Sequence, residues 1–295
     1  MIRATYQAKE ETPVDSIFLR KIRVAITPRN WLLRTRLANG AVVAGYNRAG
    51  WGGRGAYIFR DEYEPELASL SYFLKPGSVF VDIGANVGIF SMKAAKDAGD
   101  SGLVIAIEPF IESARQLARN IEMNGFRNCR VRNLCISKST GHQELYLSEK
   151  KPNSFGLIES ASDTGSVSVL AVSLDDLCIW EGITRLDYLK IDAEGAEDMI
   201  LEGGVASIEK FRPIIQVEVN KIVSVIPPGY RRYSKPKGIN NLLIPAEQAE
   251  AIKTAVAQGF VEIAEIAAQR RAEASRGERF QPLSAAEKVL SDDIS

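Results

Sequence analysis

Short apolar runs alternate with amphipathic stretches through the middle of the chain. Apolar segments rich in β-branched residues, about five residues long, are typical of strands that are buried on both faces of a sheet. The pattern predicts five such strands, at 79–83, 103–107, 129–135, 188–191 and 214–219.

Helical periodicity separates the first three of these strands. The stretch 88–99 has apolar residues at helical spacing and ends at Gly99, and the stretch 109–125 ends in the same way at Asn124 and Gly125. Glycine at such positions is a common helix terminator. Two successive β-α-β crossovers predict an α/β fold, with a doubly wound, mostly parallel sheet and helices on both faces.

Other parts of the chain depart from this alternation. Residues 141–172 contain two strand-like runs around a polar Gly, Ser and Asn-rich stretch, which predicts an antiparallel excursion. Residues 245–276 have the period of a long amphipathic helix, which would pack on its own core or on a second subunit as a homo-oligomer. We therefore divide the chain into an N-terminal extension at 1–63, a main domain at 64–245 and a C-terminal helical extension at 246–295. The glycine-rich patch at 50–55 is interpreted as a surface turn, with a lid as the alternative.

Composition excludes several classes of protein. The 295 residues contain 37 Lys or Arg and 37 Asp or Glu, so no overall field attracts the chain to nucleic acid or to an anionic membrane. Three cysteines without metal-ligand spacing predict reduced thiols. Neither a signal peptide nor an apolar run long enough for a transmembrane segment is recognisable. We expect a cytoplasmic protein with no nucleic-acid partner.

The loop after the first strand carries the candidate chemistry. The segment V-F-V-D-I-G-A-N-V-G-I-F at 79–90 places Asp82 two residues before Gly84. The dinucleotide fingerprint requires glycine where Asn86 and Ile89 stand, so a pyrophosphate ligand is disfavoured. A carboxylate at this place favours a cationic ligand with hydrogen-bond donors, such as a sulfonium amino acid joined to adenosine. Glu108 ends the second strand at the spacing expected for a ribose-binding acid, although a helix N-terminal charge is the alternative.

Four segments of the chain resemble the FkbM family of class I S-adenosylmethionine-dependent methyltransferases. They are V-D-I-G-A-N-V-G, I-E-P-F, D-Y-L-K-I-D-A-E-G-A-E-D-M-I-L-E-G-G and I-I-Q-V-E-V-N. The resemblance covers about 64–244 and implies a Rossmann-like seven-stranded sheet with a reversed last hairpin. It also implies O-methylation of a hydroxyl on a sugar, glycan or secondary metabolite. The segment 231–238 and the tail after Pro245 depart from the family pattern. The methyl acceptors that are usual in the family therefore cannot be assigned to this chain.

The resemblance assigns cofactor contacts to particular positions. Asp82, Gly84, Asn86 and Gly88 would form the cofactor loop, and Glu108 would bind the ribose. Two further assignments have structural alternatives. Asn133 to Cys135 would border the adenine, but Cys135 would serve equally as a buried small residue. Glu64, in Y-E-P-E-L, matches a family glutamate, but it would also serve as a helix N-terminal charge.

Acids at the ends of the fourth and fifth strands face the reactive end of such a site. Asp192, Glu194 and Glu218 are the candidate catalytic residues, and Asp192 would also contact the cofactor. Asp192 or Glu194 would take the proton of the acceptor hydroxyl directly, which we favour. Alternatively, Asp192, Glu218 and Asn220 would hold a divalent ion such as Mg²⁺. Lys190 would pair with Asp192 or extend to solvent.

Two other functions remain open on the residues alone. The chain could be a nucleotide-binding module without catalysis, or an NAD-dependent oxidoreductase, which the missing glycines disfavour. His142 and Trp51 are interpreted as a surface residue and an ordinary aromatic, respectively. The sequence does not identify the small-molecule or glycan acceptor.

Overall fold

A computed structural model describes most of the chain. The described residues are 16–48, 52–148, 155–156, 163–218, 225–235, 238 and 240–263. Trp51 and Asn220 lie outside them. No helix among the described residues is long and apolar enough to cross a membrane.

The helices follow the predicted crossovers, with additional ones in the flanking segments. They are α1 (Ile17–Ile26), α2 (Gly53–Phe59), α3 (Pro65–Phe73), α4 (Ile89–Ala98), α5 (Ile111–Asn124), α6 (Leu174–Trp180), α7 (Glu197–Glu202), α8 (Val205–Phe211) and α9 (Ala249–Ala257). A single 3₁₀ turn, Arg60–Glu62, connects α2 to α3. Gly99 and Gly125 end α4 and α5 with positive φ angles, as the sequence predicts.

The strands form three sheets. They are β1 (Leu32–Arg36), β2 (Val42–Tyr46), β3 (Val79–Ile83), β4 (Leu103–Ile107), β5 (Cys129–Arg132), β6 (Cys135–Ser137), β7 (Gly141–Ser148), β8 (Phe155–Gly156), β9 (Asp163–Ser173), β10 (Tyr188–Ile191), β11 (Ile214–Glu218), β12 (Tyr230–Ser234), β13 (Asn240–Pro245) and β14 (Val261–Glu262). The predicted strand at 129–135 is wrong in one respect: it is two strands in two different sheets.

The large sheet confirms the predicted fold class. Its eight strands run in the order β14-β12-β13-β11-β10-β3-β4-β5. The five strands from β11 to β5 are parallel, while β13 is antiparallel to β11 and β12 is antiparallel to β13. The chain winds outward from β3 to β5 and then returns to β10 on the other side of β3. The carboxyl ends of β3 and β10 therefore form the switch point at which doubly wound sheets bind ligands.

Both faces of the large sheet are buried, which explains why its strands are almost continuously apolar. Phe80, Val104 and Tyr188 pack toward α3, α4 and α5. Alternate residues such as Val81 and Leu189 pack on the opposite face, toward α6, α7 and α8. The period of two along each strand thus supplies two separate cores.

A four-stranded sheet lies beside the large one, in the order β6-β9-β7-β8. The strands β7 and β9 pair antiparallel over most of their length, in the stretch where the sequence predicts an antiparallel excursion. β6 pairs parallel with β9, and Cys135 with Leu145 and Ala171 forms a small core between the strands. This sheet places Leu134 and its neighbours beside the end of β4.

The C-terminal extension differs from the predicted long helix. The helix α9 ends at Ala257, Gly259 has a φ of 82°, and residues 261–262 add an eighth strand to the sheet. Phe260 is buried against Phe73, so this segment completes the core instead of projecting from it. Residues 264–276 of the predicted helix lie outside the described residues.

Candidate cofactor and active site

A cavity of about 710 Å³ opens at the carboxyl ends of β3, β4 and β10. This volume lies within the range of small-molecule sites. Seven of the residues assigned to the cofactor line it: Glu64, Asp82, Gly84, Asn86, Glu108, Cys135 and Asp192. The candidate catalytic residue Glu194 also lines it, as do Tyr63 and Lys190.

Gly84 allows the loop after β3 to touch the end of β10. Its φ angle is 77°, and a Cβ atom at this position would lie 1.9 Å from the carbonyl oxygen of Asp192. The backbone N–H groups of Gly84 and Ala85 both donate to the carbonyl of Ile107, at 3.0 and 2.9 Å. The loop is therefore fixed against two neighbouring strands, and only glycine fits where it turns.

Glu108 holds the same loop from the end of β4. Its Oε2 accepts a hydrogen bond from the backbone N–H of Asn86 at 2.7 Å, and its Oε1 accepts one from Phe110 at 2.9 Å. Asn86 has a φ of 50°, so this bond stabilises an unusual backbone conformation. Burial raises the pKa of Glu108 to about 7, against the lowering effect of the two backbone donors.

A buried lysine joins two of the carboxylates. Lys190 Nζ lies 3.0 Å from Asp192 Oδ2 and 3.9 Å from Asp82 Oδ1. It also lies 4.9 Å from the centre of the Phe90 ring. The parallel register of β3 and β10 pairs Asp82 with Lys190, which is why these charges meet inside the sheet. Of the two alternatives for Lys190, the structure therefore shows the ion pair with Asp192 and not extension of the side chain to solvent.

Charge pairing decides the protonation states of Lys190 and Asp192. Burial alone would lower the pKa of Lys190, but Asp192, Asp82 and Glu64 outweigh it and raise that pKa. Burial would raise the pKa of Asp192, but Lys190 and a side-chain hydrogen bond with Glu218 lower it. Asp192 is therefore an ionised carboxylate at neutral pH. Glu218 contacts this carboxylate and is not among the described residues that line the cavity.

Asp82 retains an unused hydrogen-bonding atom. Its Oδ2 accepts a hydrogen bond from the Ser91 hydroxyl at 2.5 Å. Its Oδ1 is buried and has no hydrogen-bond partner among the described residues. Burial raises the pKa of Asp82, with Lys190 and Ser91 acting in the opposite direction. Because a buried acceptor without a hydrogen bond is costly, even with Lys190 at 3.9 Å, this atom favours a ligand that brings a donor.

Glu64 and Tyr63 add titratable groups to the same cavity. Glu64 precedes α3, yet its side chain makes no capping hydrogen bond to that helix; its Oε2 accepts from Asn240 Nδ2 at 3.0 Å. Glu64 thus stands at the N-terminal end of α3, and the described residues show its side chain bonded to Asn240 rather than to the helix backbone. Burial raises the pKa of Glu64 to about 7, although Lys190 lowers it. Burial and Glu64 raise the pKa of Tyr63 to about 12, which keeps its hydroxyl a donor.

The loop after Asp192 presents Glu194 to the cavity. Glu194 has a φ of 49° and is exposed, and Gly195 has a φ of 105°. Glu197 folds this loop, since its Oε1 accepts from the backbone N–H groups of Ala193 and Gly195 at 3.1 Å each. Glu197 thus has a structural role at the start of α7, while Glu194 lines the cavity.

The N-terminal extension forms one wall of the cavity, so the surface-turn interpretation of the glycine-rich patch is wrong for residues 52–55. Gly52, Arg54 and Gly55 line the cavity together with Arg48. A Cβ atom on Gly53 would lie 2.4 Å from the backbone of Gly45 in β2. The close contact of these two glycines therefore allows the start of α2 to pack against β2 at the cavity. The sequence signal for it was the glycine cluster itself.

Two assigned cofactor residues lie outside the cavity lining formed by the described residues. Gly88 precedes α4 with a φ of 87°, and a Cβ atom there would lie 2.2 Å from Leu117, so it serves packing. Asn133 is exposed, and its Nδ2 donates to the carbonyls of Glu108 and Pro109 at 2.8 Å each. Leu134, Cys135 and Ile136 line the cavity instead. Burial raises the pKa of the Cys135 thiol to about 12, so it contributes an apolar, protonated surface.

The metal alternative involves residues only partly described. Asp192 and Glu218 lie together, but Asn220 is outside the described residues. Among those described, no group of three His, Cys, Asp or Glu side chains is arranged to hold a metal ion.

Comparison with known families identifies the chain. The family model "Methyltransferase FkbM domain" matches residues 82–231, which is half of the sequence. The chain belongs to the FkbM methyltransferase family. The cofactor of this family is S-adenosylmethionine. This FkbM domain contains the cofactor loop, Glu108 and Asp192, while Glu64 and the N-terminal wall precede it. The family match gives no support to an NAD-dependent oxidoreductase.

Solved structures similar to this FkbM chain share little sequence with it. A methyltransferase FkbM from Methylobacillus flagellatus KT is 16% identical, with a TM-score of 0.42, over 64% of this chain and 52% of that one. The chain therefore spans about half the length of that structure. A putative methyltransferase yhhF from Escherichia coli is 12% identical, with a TM-score of 0.40, over 71% and 96% of the two chains. TrmK from M. capricolum, in complex with S-adenosyl-homocysteine, is 11% identical, with a TM-score of 0.36, over 60% and 66%. No curated protein matched the sequence.

The cavity of the FkbM chain fits S-adenosylmethionine on its own geometry. The Oδ1 of Asp82, which lies 3.9 Å from Lys190 Nζ but accepts no hydrogen bond among the described residues, would accept one from an ammonium group. Each oxygen of Glu108 accepts one backbone donor and retains a second lone pair for a hydroxyl group. The absence of a side chain at Gly84 lets the loop lie directly against the carbonyl of Asp192, so the loop and the end of β10 form one continuous part of the cavity wall.

Proposed function

We propose that the chain is an S-adenosylmethionine-dependent O-methyltransferase that acts on a hydroxyl group of a sugar, glycan or secondary metabolite. The observation that carries this proposal is the group Glu64, Lys190 and Asp192 within one cavity next to the cofactor loop. An alcohol becomes a good nucleophile only as its proton leaves, so a hydroxyl acceptor requires a base during the transfer, whereas an amine in its neutral form is already nucleophilic. This cavity offers such a base.

S-adenosylmethionine supplies the methyl group. Asp82 and Glu108 hold the cofactor, with Gly84 and Asn86 shaping the loop around it. Cys135 and Leu134 contribute the apolar surface against which the adenine ring of the cofactor lies. Positioning of the acceptor oxygen in line with the departing sulfur accounts for most of the acceleration, because a displacement of this kind depends chiefly on alignment.

Asp192 orients the acceptor hydroxyl in this proposal. Its carboxylate is held ionised by Lys190, 3.0 Å away, and is partly exposed to the cavity. An ionised carboxylate accepts a strong hydrogen bond from a hydroxyl group. Glu194 lies on the adjoining loop and would contact the acceptor beyond Asp192, while Glu218 would fix Asp192 through their shared hydrogen bond.

Glu64 is the proton acceptor in this proposal. A general base works best when its pKa is close to the working pH, and the pKa of Glu64 is about 7. The lowered pKa of Asp192 makes it a weaker base. The sequence favoured Asp192 or Glu194 as the residue that takes the proton. This proposal gives that role to Glu64, which the sequence assigned to cofactor binding.

We propose that the reaction does not use a metal ion at this site. The carboxylate of Asp192 already has Lys190 as its cation, and a divalent ion would have to displace it. Activity would then persist after treatment with a chelator, whereas loss on chelation and recovery with Mg²⁺ would support the Asp192, Glu218 and Asn220 site.

The substitution Asp192→Asn tests the function. Wild-type protein and the variant are incubated with S-adenosylmethionine and a panel of glycosides and phenolic metabolites, and methylated products are located by mass spectrometry and NMR. We expect an O-methyl product, about 10- to 100-fold slower turnover in Asp192→Asn because the hydroxyl loses its hydrogen bond to a charged acceptor, and unchanged affinity for S-adenosylhomocysteine by calorimetry. The exposed control Asp100→Asn should match wild type. A product methylated on nitrogen, or equal turnover in both proteins, would contradict the proposal.

A further inference from the structure

The N-terminal extension has an unusual distribution of charge. The chain as a whole is neutral, yet residues 16–48 contain seven basic residues and no acidic one. The basic residues are Arg20, Lys21, Arg23, Arg29, Arg34, Arg36 and Arg48. The overall balance therefore conceals a cationic segment within the N-terminal extension, which a test of net charge alone does not reveal.

The same segment exposes large apolar side chains. Phe18 is 70% exposed, Ile26 is 77% exposed and Trp31 is 61% exposed. Leu19, Ile22 and Leu32 are also exposed. Single exposed apolar residues are ordinary, but six within fifteen residues of chain form a patch of the kind that marks an interaction surface.

The geometry of α1 sorts these side chains into one face. Val24 and Arg20 are buried against the protein, where Val24 packs with Leu33 and Ile58. At about 100° per residue, Phe18, Leu19, Ile22 and Ile26 occupy an arc of roughly 100° on the opposite side. The helix therefore carries apolar side chains on both its inner and its outer faces, and only those of the inner face pack in a core cluster of the described residues.

Basic residues border the outer apolar arc. Lys21 lies about 60° to one side of Phe18 and Arg23 lies about 40° beyond Leu19 on the other. Asn47 donates to the carbonyls of Val24 and Thr27 and also bonds the carbonyl of Trp31 through its backbone, which holds Trp31 beside the end of the helix. An apolar strip with an aromatic anchor and flanking cations is the pattern of a helix that lies in a lipid–water interface.

We propose that the outer face of α1, with Trp31 and Leu32, docks the protein on the surface of an anionic lipid bilayer. The apolar arc would enter the boundary below the headgroups while Lys21, Arg23 and Arg29 contact lipid phosphates. Charge complementarity selects this occupant. A second copy of the same face would oppose cation to cation, and a nucleic acid would leave Phe18 and Ile26 unburied.

The docking face is connected to the cavity wall. Ile58 and Phe59 of α2 pack with α1 and Leu33 in one cluster, and both also line the cavity. Lys21 Nζ lies 5.9 Å from the centre of the Phe59 ring. A bilayer against α1 would thus lie one helix away from the cavity, a position suited to an acceptor that is anchored in lipid.

Vesicle sedimentation tests the docking independently of any methyl transfer. The full chain is mixed with phosphatidylcholine vesicles that contain or lack phosphatidylglycerol, at low and high salt. We expect binding to the anionic vesicles that weakens with salt, and little binding to the neutral ones. Lys21→Gln with Arg29→Gln should weaken binding about 25-fold, since each cation near the surface contributes about fivefold. Phe18→Asn with Ile26→Asn should weaken it at least about tenfold.

Matched controls separate the face from general surface properties. Ile179 is 74% exposed on α6, so Ile179→Asn removes an equally exposed apolar side chain elsewhere. Lys96→Gln with Arg127→Gln removes two exposed charges elsewhere. These controls should bind as wild type, and all variants should keep the circular dichroism and the S-adenosylhomocysteine affinity of wild type.

Several results would overturn the proposal. They are absence of vesicle binding by the full chain, equal binding to neutral and anionic vesicles, and equal loss in the controls. A dimer that dissociates in the Phe18→Asn, Ile26→Asn variant, without vesicle binding, would assign the face to a second copy. Salt-sensitive binding to RNA or DNA in place of vesicles, lost in the Lys21→Gln, Arg29→Gln variant, would assign it to nucleic acid.

Discussion

The α-carbon of Gly84 faces the carbonyl oxygen of Asp192 so closely that a Cβ atom on Gly84 would lie 1.9 Å from it. The cofactor loop and the end of β10 are therefore in direct backbone contact. We expect Gly84→Ala to lower the free energy of unfolding by about 2–5 kcal/mol, because it adds a steric clash to the strain of a φ angle of 77°. Urea denaturation measures this, and calorimetry should show loss of S-adenosylhomocysteine binding.

Gly125→Ala is the matched control. Gly125 has a φ of 68°, but nothing lies within 4 Å of its Cβ position. Its substitution should cost only the backbone strain of about 1–2 kcal/mol and leave cofactor affinity unchanged. Equal effects of the two substitutions would show that the contact with Asp192 is unimportant.

Loss of the Lys190 charge should strongly destabilise the protein. Its side chain is 3% exposed and neutralises Asp82 and Asp192. We expect Lys190→Met to lower the free energy of unfolding by about 3–5 kcal/mol, since it leaves buried carboxylates without a cation. Adding Asp82→Asn should recover part of this loss. Lys253→Met, which removes an exposed pair with Glu250, should leave the denaturation midpoint close to that of wild type.

The central sheet was predictable because local pattern and burial agree there. The strands 79–83, 103–107 and 188–191 match the structure in both ends, since each is an apolar run bounded by polar or turn residues. The strand at 129–135 was predicted as one element because apolar residues recur along it, at Cys129, Val131 and Cys135. Its division after Arg132 depends on Asn133, whose side chain bonds two backbone carbonyls of another segment, a long-range contact that pattern does not reveal.

The sequence predicted those site residues that lie at or directly after the end of a strand. Asp82, Gly84 and Glu108 follow from the loop and its spacing, and the cavity contains them. Arg48, Arg54 and Tyr63 were missed, because they reach the cavity through packing of the N-terminal extension rather than through a motif. The helix predicted for 245–276 ends early because Phe260 turns back into the core, which depends on Phe73 far away in sequence.

The rate of methyl transfer should depend on the protonation of Glu64. A base must be deprotonated to act, so kcat/KM for the acceptor should rise with pH through about 7 and level off above it. A positively charged cofactor in the same cavity would shift this inflection downward. Glu64→Gln should lower kcat/KM about 100-fold and flatten the profile, with unchanged S-adenosylhomocysteine affinity. If that affinity falls instead while kcat persists, Glu64 is a cofactor ligand.

Glu108 should couple cofactor binding to proton release. Burial raises its pKa to about 7, so the carboxyl group of the free protein is largely protonated at pH 6. Hydroxyl donors of a bound ribose favour the ionised form, and binding should therefore expel the proton below pH 7 and not at pH 8. Affinity for S-adenosylhomocysteine should then rise with pH between 6 and 8. Calorimetry in two buffers of different ionisation enthalpy measures the released proton directly.

Two substitutions assign this proton to its residue. Glu108→Gln keeps the size of the side chain but cannot ionise, so it should abolish the pH dependence of affinity and weaken binding about 10-fold or more. Glu64 has a pKa in the same range, so Glu64→Gln is the necessary comparison and should leave the proton release by Glu108 in place. Because Glu108 also accepts the backbone N–H groups of Asn86 and Phe110, Glu108→Gln leaves one of them without its acceptor. Some loss of stability is therefore expected whether Glu108 binds the ribose or only supports the loop. Loss of the proton release in Glu108→Gln is the result that shows Glu108 to be a ribose ligand.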